Sequence, residues 1–76
     1  MVKDKVLDII KEITYKSPTK LSFALDTLGV DSLDLVDILM RLENKFNIVF
    51  TDEECSQIRY WTINKIIENI ENKIND

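Results

Sequence analysis

The sequence predicts an all-α fold, a small four-helix bundle of three main helices and one short helix, with a long first loop. Three observations predict it. Apolar residues recur at spacings of three and four in three separate stretches. Gly and Pro occur once each in 76 residues, whereas Ile, Leu, Lys and Glu abound, a composition that favours helices. Helix-start signals, Asp31-Ser32 with Asp34 and Thr51 with Glu54, stand ahead of two helical stretches. A chain of this length suits a single domain, residues 1–76, with a modest core.

The first helix follows from Val2, Val6, Ile9, Ile10 and Ile13, which share one face over about residues 2–15. The stretch YKSPTK ends it, since Pro18 biases Ser17 away from helical backbone. The loop LSFALDTLG is apolar without a period, and Leu21, Phe23, Leu25 and Leu28 are its candidates for the core. Gly29 gives the backbone freedom to turn before the second helix. That helix spans about 32–46, with Leu35, Ile38, Leu39, Leu42 and Phe46 inward and Asn47 suited to a left-handed C-cap. IVF reads as a short apolar link. Thr51 and Glu54 form a capping box, and Asp52 and Glu53 suit the positive end of the short third helix, which carries Ile58 as its best buried residue. The last helix presents Ile63, Ile66, Ile67, Ile70 and Ile74 on one side.

Charge and composition then narrow the function. The net charge of −4 is uneven: residues 1–30 carry five Lys and four acids, residues 31–54 seven acids and two bases, and residues 55–76 three of each. No basic stripe exists, so no nucleic-acid partner is expected, and the acidic middle points to partners with basic patches. No apolar run reaches the length of a membrane span, and the charged, amphipathic N-terminus does not read as a signal peptide. The single Cys55 has no disulfide partner, which fits a reducing cytoplasm. There is no histidine, hence no ordinary neutral-pH base and no expected metal centre. The chain is expected to be no enzyme, and a monomer.

Ser32 stands out in LGVDSLDLV. It is either the N-cap of the second helix or, if Asp31 caps, the first helical residue with its hydroxyl facing solvent. A serine nucleophile is excluded, because no histidine can act as base and GVDSLD is no nucleophile elbow. Ser32 is thus a plain surface residue or a site that another enzyme modifies. On the same helix Leu33, Val36 and Met40 lie together, away from Leu35, Leu39 and Leu42, with Asp34, Asp37 and Glu43 beside them. This is either a wide core face with solvated acids, Asp37 pairing with Arg41, or an apolar docking patch rimmed by acids.

LGVDSLDLVDILMRLENKF closely resembles the acyl carrier protein family, whose attachment motif is Asp-Ser-Leu preceded by Leu-Gly-x and followed by an acidic, apolar helix. The resemblance extends over nearly the whole chain. It implies that Ser32 is esterified with 4'-phosphopantetheine, donated by coenzyme A through a separate phosphopantetheinyl transferase, the holo-carrier synthase. It implies that acyl intermediates ride on this arm as thioesters to acyl-transferring and acyl-processing enzymes of fatty acid, lipid or polyketide biosynthesis. It also implies docking through Asp31, Leu33, Asp34, Val36, Asp37, Met40 and Glu43. Arg41, Asn44 and Lys45 stand where such carriers are usually acidic or small, and Trp61 is atypical. The alternatives are an aminoacyl or peptidyl carrier of a dedicated pathway and a helical adaptor that carries nothing.

Overall fold

A computed structural model describes residues 1–75; Asp76, the last residue of the expected 1–76 domain, lies outside the described residues. Four α-helices follow one another: α1 (Val2–Thr14), α2 (Ser32–Phe46), α3 (Asp52–Gln57) and α4 (Ile63–Asn75). Two single 3-10 turns, Leu25–Leu28 and Ile58–Tyr60, interrupt the long first loop and the α3–α4 link. The expected bundle of three main helices and one short one is what the chain forms.

The termini of these helices have local causes. α1 stops at Tyr15, which adopts the left-handed region (φ 59°) and donates its N–H to the Lys11 carbonyl at 2.8 Å. The helix therefore ends four residues ahead of Pro18, before the proline acts. α2 ends in the same way at Asn47 (φ 54°), as its short polar side chain allows. The capping box at α3 is complete: Thr51 Oγ1 accepts from Glu54 N–H at 3.1 Å and Glu54 Oε1 accepts from Thr51 N–H at 2.8 Å.

The start of α4 is solved by the first loop rather than by side chains alone. The N–H groups of Ile63 and Asn64, orphans at any helix start, donate to the carbonyls of Phe23 and Leu21 at 2.9 and 3.0 Å. Thr62 Oγ1 accepts from Lys65 N–H at 3.1 Å. Ala24 and Thr62 form an isolated antiparallel bridge at the same place. The loop is thus a strap across the head of α4, and its 3-10 turn packs on the 3-10 turn of the α3–α4 link.

α1 packs on both α2 and α4, and the interior is wholly apolar among the described residues. Val6, Ile10, Leu25, Ile38, Leu42, Ile58, Ile63, Ile66 and Ile70 are at most 1% exposed. Leu35, Leu39, Phe46, Leu21 and Phe23 sit half-buried at its margin. Ile74 departs from expectation: it keeps the helical period yet is 46% exposed. The period fixes the side a residue faces, not whether a neighbour lies there at the chain's end. Val30 and Phe50, which belong to no periodic stretch, are buried. A single apolar residue in a loop offers no pattern to read.

α3 contains no fully buried residue, so polar contacts tie it to α4. Lys73 Nζ donates to Glu54 Oε1 and Asn69 Nδ2 to Glu54 Oε2, both at 2.7 Å. Burial by itself would raise the Glu54 carboxyl. Hydrogen bonds from Lys73, the Thr51 backbone and Asn69, with the Lys73 charge, outweigh it and lower the carboxyl from 4.5 to about 2. A carboxyl depressed in the folded state adds stability above its unfolded value, and that stability is lost as pH falls towards 2. Glu54→Gln is expected to cost about 1–2 kcal/mol at pH 7, the scale of a hydrogen-bonded charge. Its cost should shrink between pH 4.5 and 2 in urea titrations followed by circular dichroism. A cost equal at pH 7 and pH 2 would contradict this assignment.

The cap of α2 gives a second expectation. Asp31 Oδ1 accepts from Asp34 N–H at 2.8 Å, so Asp31, not Ser32, is the N-cap. Asp31→Ala should lose about 1 kcal/mol. Ser32→Ala should stay within about 0.5 kcal/mol of the unmutated chain in the same titration.

Candidate functional site

The approach to Ser32 is built from four successive constraints. The 3-10 turn Leu25–Leu28 ends on Gly29, whose φ of 75° is the region that glycine enters without strain. Gly29 N–H donates to the Asp26 carbonyl at 3.2 Å. Lys16 Nζ, reaching over from just beyond α1, donates to the Leu28 carbonyl at 3.1 Å. Val30 is buried and pins the chain to the core, and Asp31 in extended backbone (φ −86°, ψ −179°) then caps α2.

Ser32 is consequently the first residue of α2, and it is exposed. Among the described residues no hydrogen bond engages its hydroxyl. Asp31 has taken over capping, so the Ser32 oxygen has no structural duty. The N–H groups of Ser32 and Leu33, which have no acceptor within the helix, and the positive end of the helix dipole lie at the same end of α2. A phosphodiester on this oxygen would meet an environment that favours an anion, so the residues present fit a phosphopantetheine ester.

The α2 surface beyond Ser32 is apolar where a soluble helix is usually polar. Leu33, Val36 and Met40 are 81%, 52% and 57% exposed, so they are not part of a wide core face. A shared face at helical spacing makes them one patch, and the core residues Ile38 and Leu42 point elsewhere.

The acids around the patch are not equivalent. Asp31 spends one oxygen on its cap. Asp37 Oδ1 holds Arg41 Nε at 2.9 Å, the ion pair its spacing suggests, and Arg41 Nη1 reaches Glu12 Oε2 on α1 at 3.0 Å. Glu43 Oε2 accepts from Phe50 N–H at 2.9 Å and orders the turn between α2 and α3. Among the described residues, Asp34 alone of the four has no partner for its carboxylate. The Arg41 bridge, the Glu43 contact and the Lys16 tether join residues far apart in sequence, and only the Asp37–Arg41 spacing signals any of them.

Two other features lie away from this surface. An open groove of about 450 Å³, lined by Lys5, Asp8, Glu12, Arg41, Asn44 and Lys45, runs between α1 and α2 and includes neither Ser32 nor the patch. Cys55 is half-buried. Burial, then the acids Glu43, Asp52 and Glu54, push its thiol above its ordinary value. No described helix is long and apolar enough to cross a membrane.

Comparison with known proteins agrees with this geometry. The family model described as the phosphopantetheine attachment site matches residues 4–70. The chain is similar to the acyl carrier protein of Chlorobium phaeovibrioides, 38% identical over 78 aligned positions that cover 95% of this chain and 94% of that one. It is 41% identical over 61 positions to the acyl carrier protein of Clostridium acetobutylicum, covering 76% of this chain and 79% of the relative. The acyl carrier protein of Buchnera aphidicola is 47% identical over 49 positions, 64% of this chain and 59% of its own length. No solved structure matches. A family model across most of the chain and a relative aligned nearly end to end imply a covalently attached 4'-phosphopantetheine, and the chain belongs to the acyl carrier protein family.

Proposed function

We infer that Ser32 is the residue that bears the arm, and that the chain is a single carrier domain serving fatty acid synthesis or a related lipid or polyketide pathway. One observation carries the assignment. Ser32 is exposed at the first position of α2 and its hydroxyl is unengaged among the described residues, because Asp31 performs the capping. In the attachment step Ser32 Oγ forms a bond to the phosphorus of coenzyme A's pyrophosphate that bears the pantetheine, and the P–O bond to the nucleotide breaks. The serine proton goes to a base of the transferase, and 3',5'-adenosine diphosphate leaves. The arm supplies a terminal thiol on which an acyl group is held as a thioester.

The chain's own part is to present and to be recognised. Without histidine it contributes no ordinary proton acceptor, so the catalytic groups come from its partners. Leu33, Val36 and Met40 supply the apolar centre of the docking surface, and Asp34 its main rim charge; Asp31, Asp37 and Glu43 shape it while held in place by their own contacts. The partners expected are a holo-carrier synthase and acyl-processing enzymes with basic grooves. The setting proposed is the cytoplasm, with the carrier as a monomer.

Intact mass after incubation with coenzyme A and a broad-range phosphopantetheinyl transferase tests the attachment. The unmutated chain should gain one phosphopantetheinyl group, and Ser32→Ala none while keeping its helical circular dichroism. A mass gain on Ser32→Ala would refute the site.

The docking surface is tested by transfer kinetics. Asp34→Asn should lower kcat/KM with the transferase by roughly fivefold, the equivalent of about 1 kcal/mol for one charge contact. Asp37→Asn, whose carboxylate is already paired with Arg41, should lower it by about twofold at most. Raising salt from about 0.05 to 0.5 M should narrow the gap between Asp34→Asn and the unmutated chain, since exposed charges are then screened within a few ångströms. Equal losses for both variants at both salts would contradict this division of roles.

A further inference from the structure

Lys16 has no place in the surface just described, yet it touches the segment that aims Ser32. It lies two residues past the end of α1, in the irregular stretch before Pro18. Its own backbone N–H donates to Thr14 Oγ1 at 3.2 Å, and Thr14 Oγ1 in turn donates to the Ile10 carbonyl at 2.8 Å. The residue is therefore anchored to the last turn of α1. From there its side chain crosses to the far end of the first loop, where Nζ donates to the Leu28 carbonyl at 3.1 Å.

The acceptor matters. Leu28 is the last residue of the 3-10 turn, and its carbonyl precedes the left-handed Gly29. A β-carbon built on Gly29 would lie 3.6 Å from Lys16 Nζ, so the ammonium rests directly over that turn. Among the described residues no other cationic side chain bonds to the stretch 25–31. The final carbonyls of a helical turn carry partial negative charge, and an ammonium there is stabilising. From Leu28 to Ser32 the chain has one flexible joint, Gly29, followed by the Val30 anchor and the Asp31 cap.

We propose that Lys16 is a positioning residue for arm attachment: its ammonium ties the end of α1 to the Leu28 carbonyl and fixes the Gly29 joint, which holds Ser32 at the angle the transferase needs. The proposal rests on Ser32 being the attachment residue. Lys16 touches no reacting atom. The proposed docking surface consists of Leu33, Val36, Met40 and Asp34, and among the described residues Lys16 makes no hydrogen bond or ion pair to any of them. Loss of the tether therefore lowers the rate of the transfer step and leaves the carrier's KM unchanged. Arginine preserves a cationic donor of similar reach, whereas methionine preserves the length and removes the donor.

Two measurements on the unmutated chain, Lys16→Met and Lys16→Arg test this. The first is residue-resolved amide exchange of the unmodified protein, which needs no arm. In Lys16→Met the Gly29 amide should exchange at least about fivefold faster, with the Ile38 and Leu42 amides unchanged, and Lys16→Arg should restore the slower rate. The second is attachment kinetics with coenzyme A and the broad-range transferase. Lys16→Met should lower kcat about three- to tenfold at unchanged KM, and Lys16→Arg should recover most of it. Unaltered Gly29 exchange, a loss spread equally over core amides, a normal kcat in Lys16→Met, or no recovery by Lys16→Arg would each overturn the role of Lys16. If the unmutated chain itself gains no group at Ser32, the attachment assignment fails, and this proposal falls with it.

Discussion

The hydrogen bond from Asp34 N–H to Asp31 Oδ1 decides where α2 begins, and most of what the molecule presents follows from that start. A helix advances about 100° per residue, so a cap one position later would make Ser32 the capping side chain. Its oxygen would then face the helix end rather than the surroundings. With Asp31 as cap the two tasks are divided between neighbours. The aspartate satisfies the backbone, and the serine oxygen, which no hydrogen bond engages among the described residues, lies beside N–H groups that have no helical partner. Burial of the inner face sets the phase of the helix. It places Ile38 and Leu42 fully inside and leaves Leu33, Val36 and Met40 outside.

Charge placement follows a related economy. Residues 31–54 carry a net −5, yet several of these acids are engaged at home. Glu54 joins α3 to α4, Glu43 orders the turn at Phe50, and Asp37 passes through Arg41 to Glu12. The exposed Arg41 pairs contribute little stability individually. Their effect is to fix orientation, and of Asp31, Asp34, Asp37 and Glu43 only Asp34 has a carboxylate without a partner among the described residues. A count of acids therefore overstates the number of carboxylates left unpaired in this segment.

The sequence was most legible where a pattern repeats. Isoleucine periodicity located α4, the Thr51/Glu54 pair located α3, and Asn47 marked the end of α2, because each rests on contacts within four residues. The candidate site was legible through LGVDSLDLV and the off-phase residues Leu33, Val36 and Met40. Which of Asp31 and Ser32 caps stayed open, since both side chains suit the position. The burial of Val30 and Phe50, the strap of Leu21–Ala24 over α4 and the reach of Lys16 to Leu28 were not legible. Each depends on a pairing between distant segments that no local period announces. Ile74 shows the converse: a correct period without a neighbour to cover it.

Because the core holds no polar or charged side chain among the described residues, fold and recognition are separable over most of this small molecule. The patch on α2 could change in identity at little cost to the core, since its side chains are 52–81% exposed whereas Ile38 and Leu42 are fully buried. The two meet in the segment from Leu28 to Asp31. There a glycine in left-handed backbone, a buried valine and a capping aspartate occupy three consecutive positions, and each restrains the next. A segment so short cannot hide strain elsewhere, so a change at any of the three alters both the stability of α2 and the direction of the Ser32 hydroxyl. Here the backbone that starts α2 and the backbone that leads to Ser32 are the same residues.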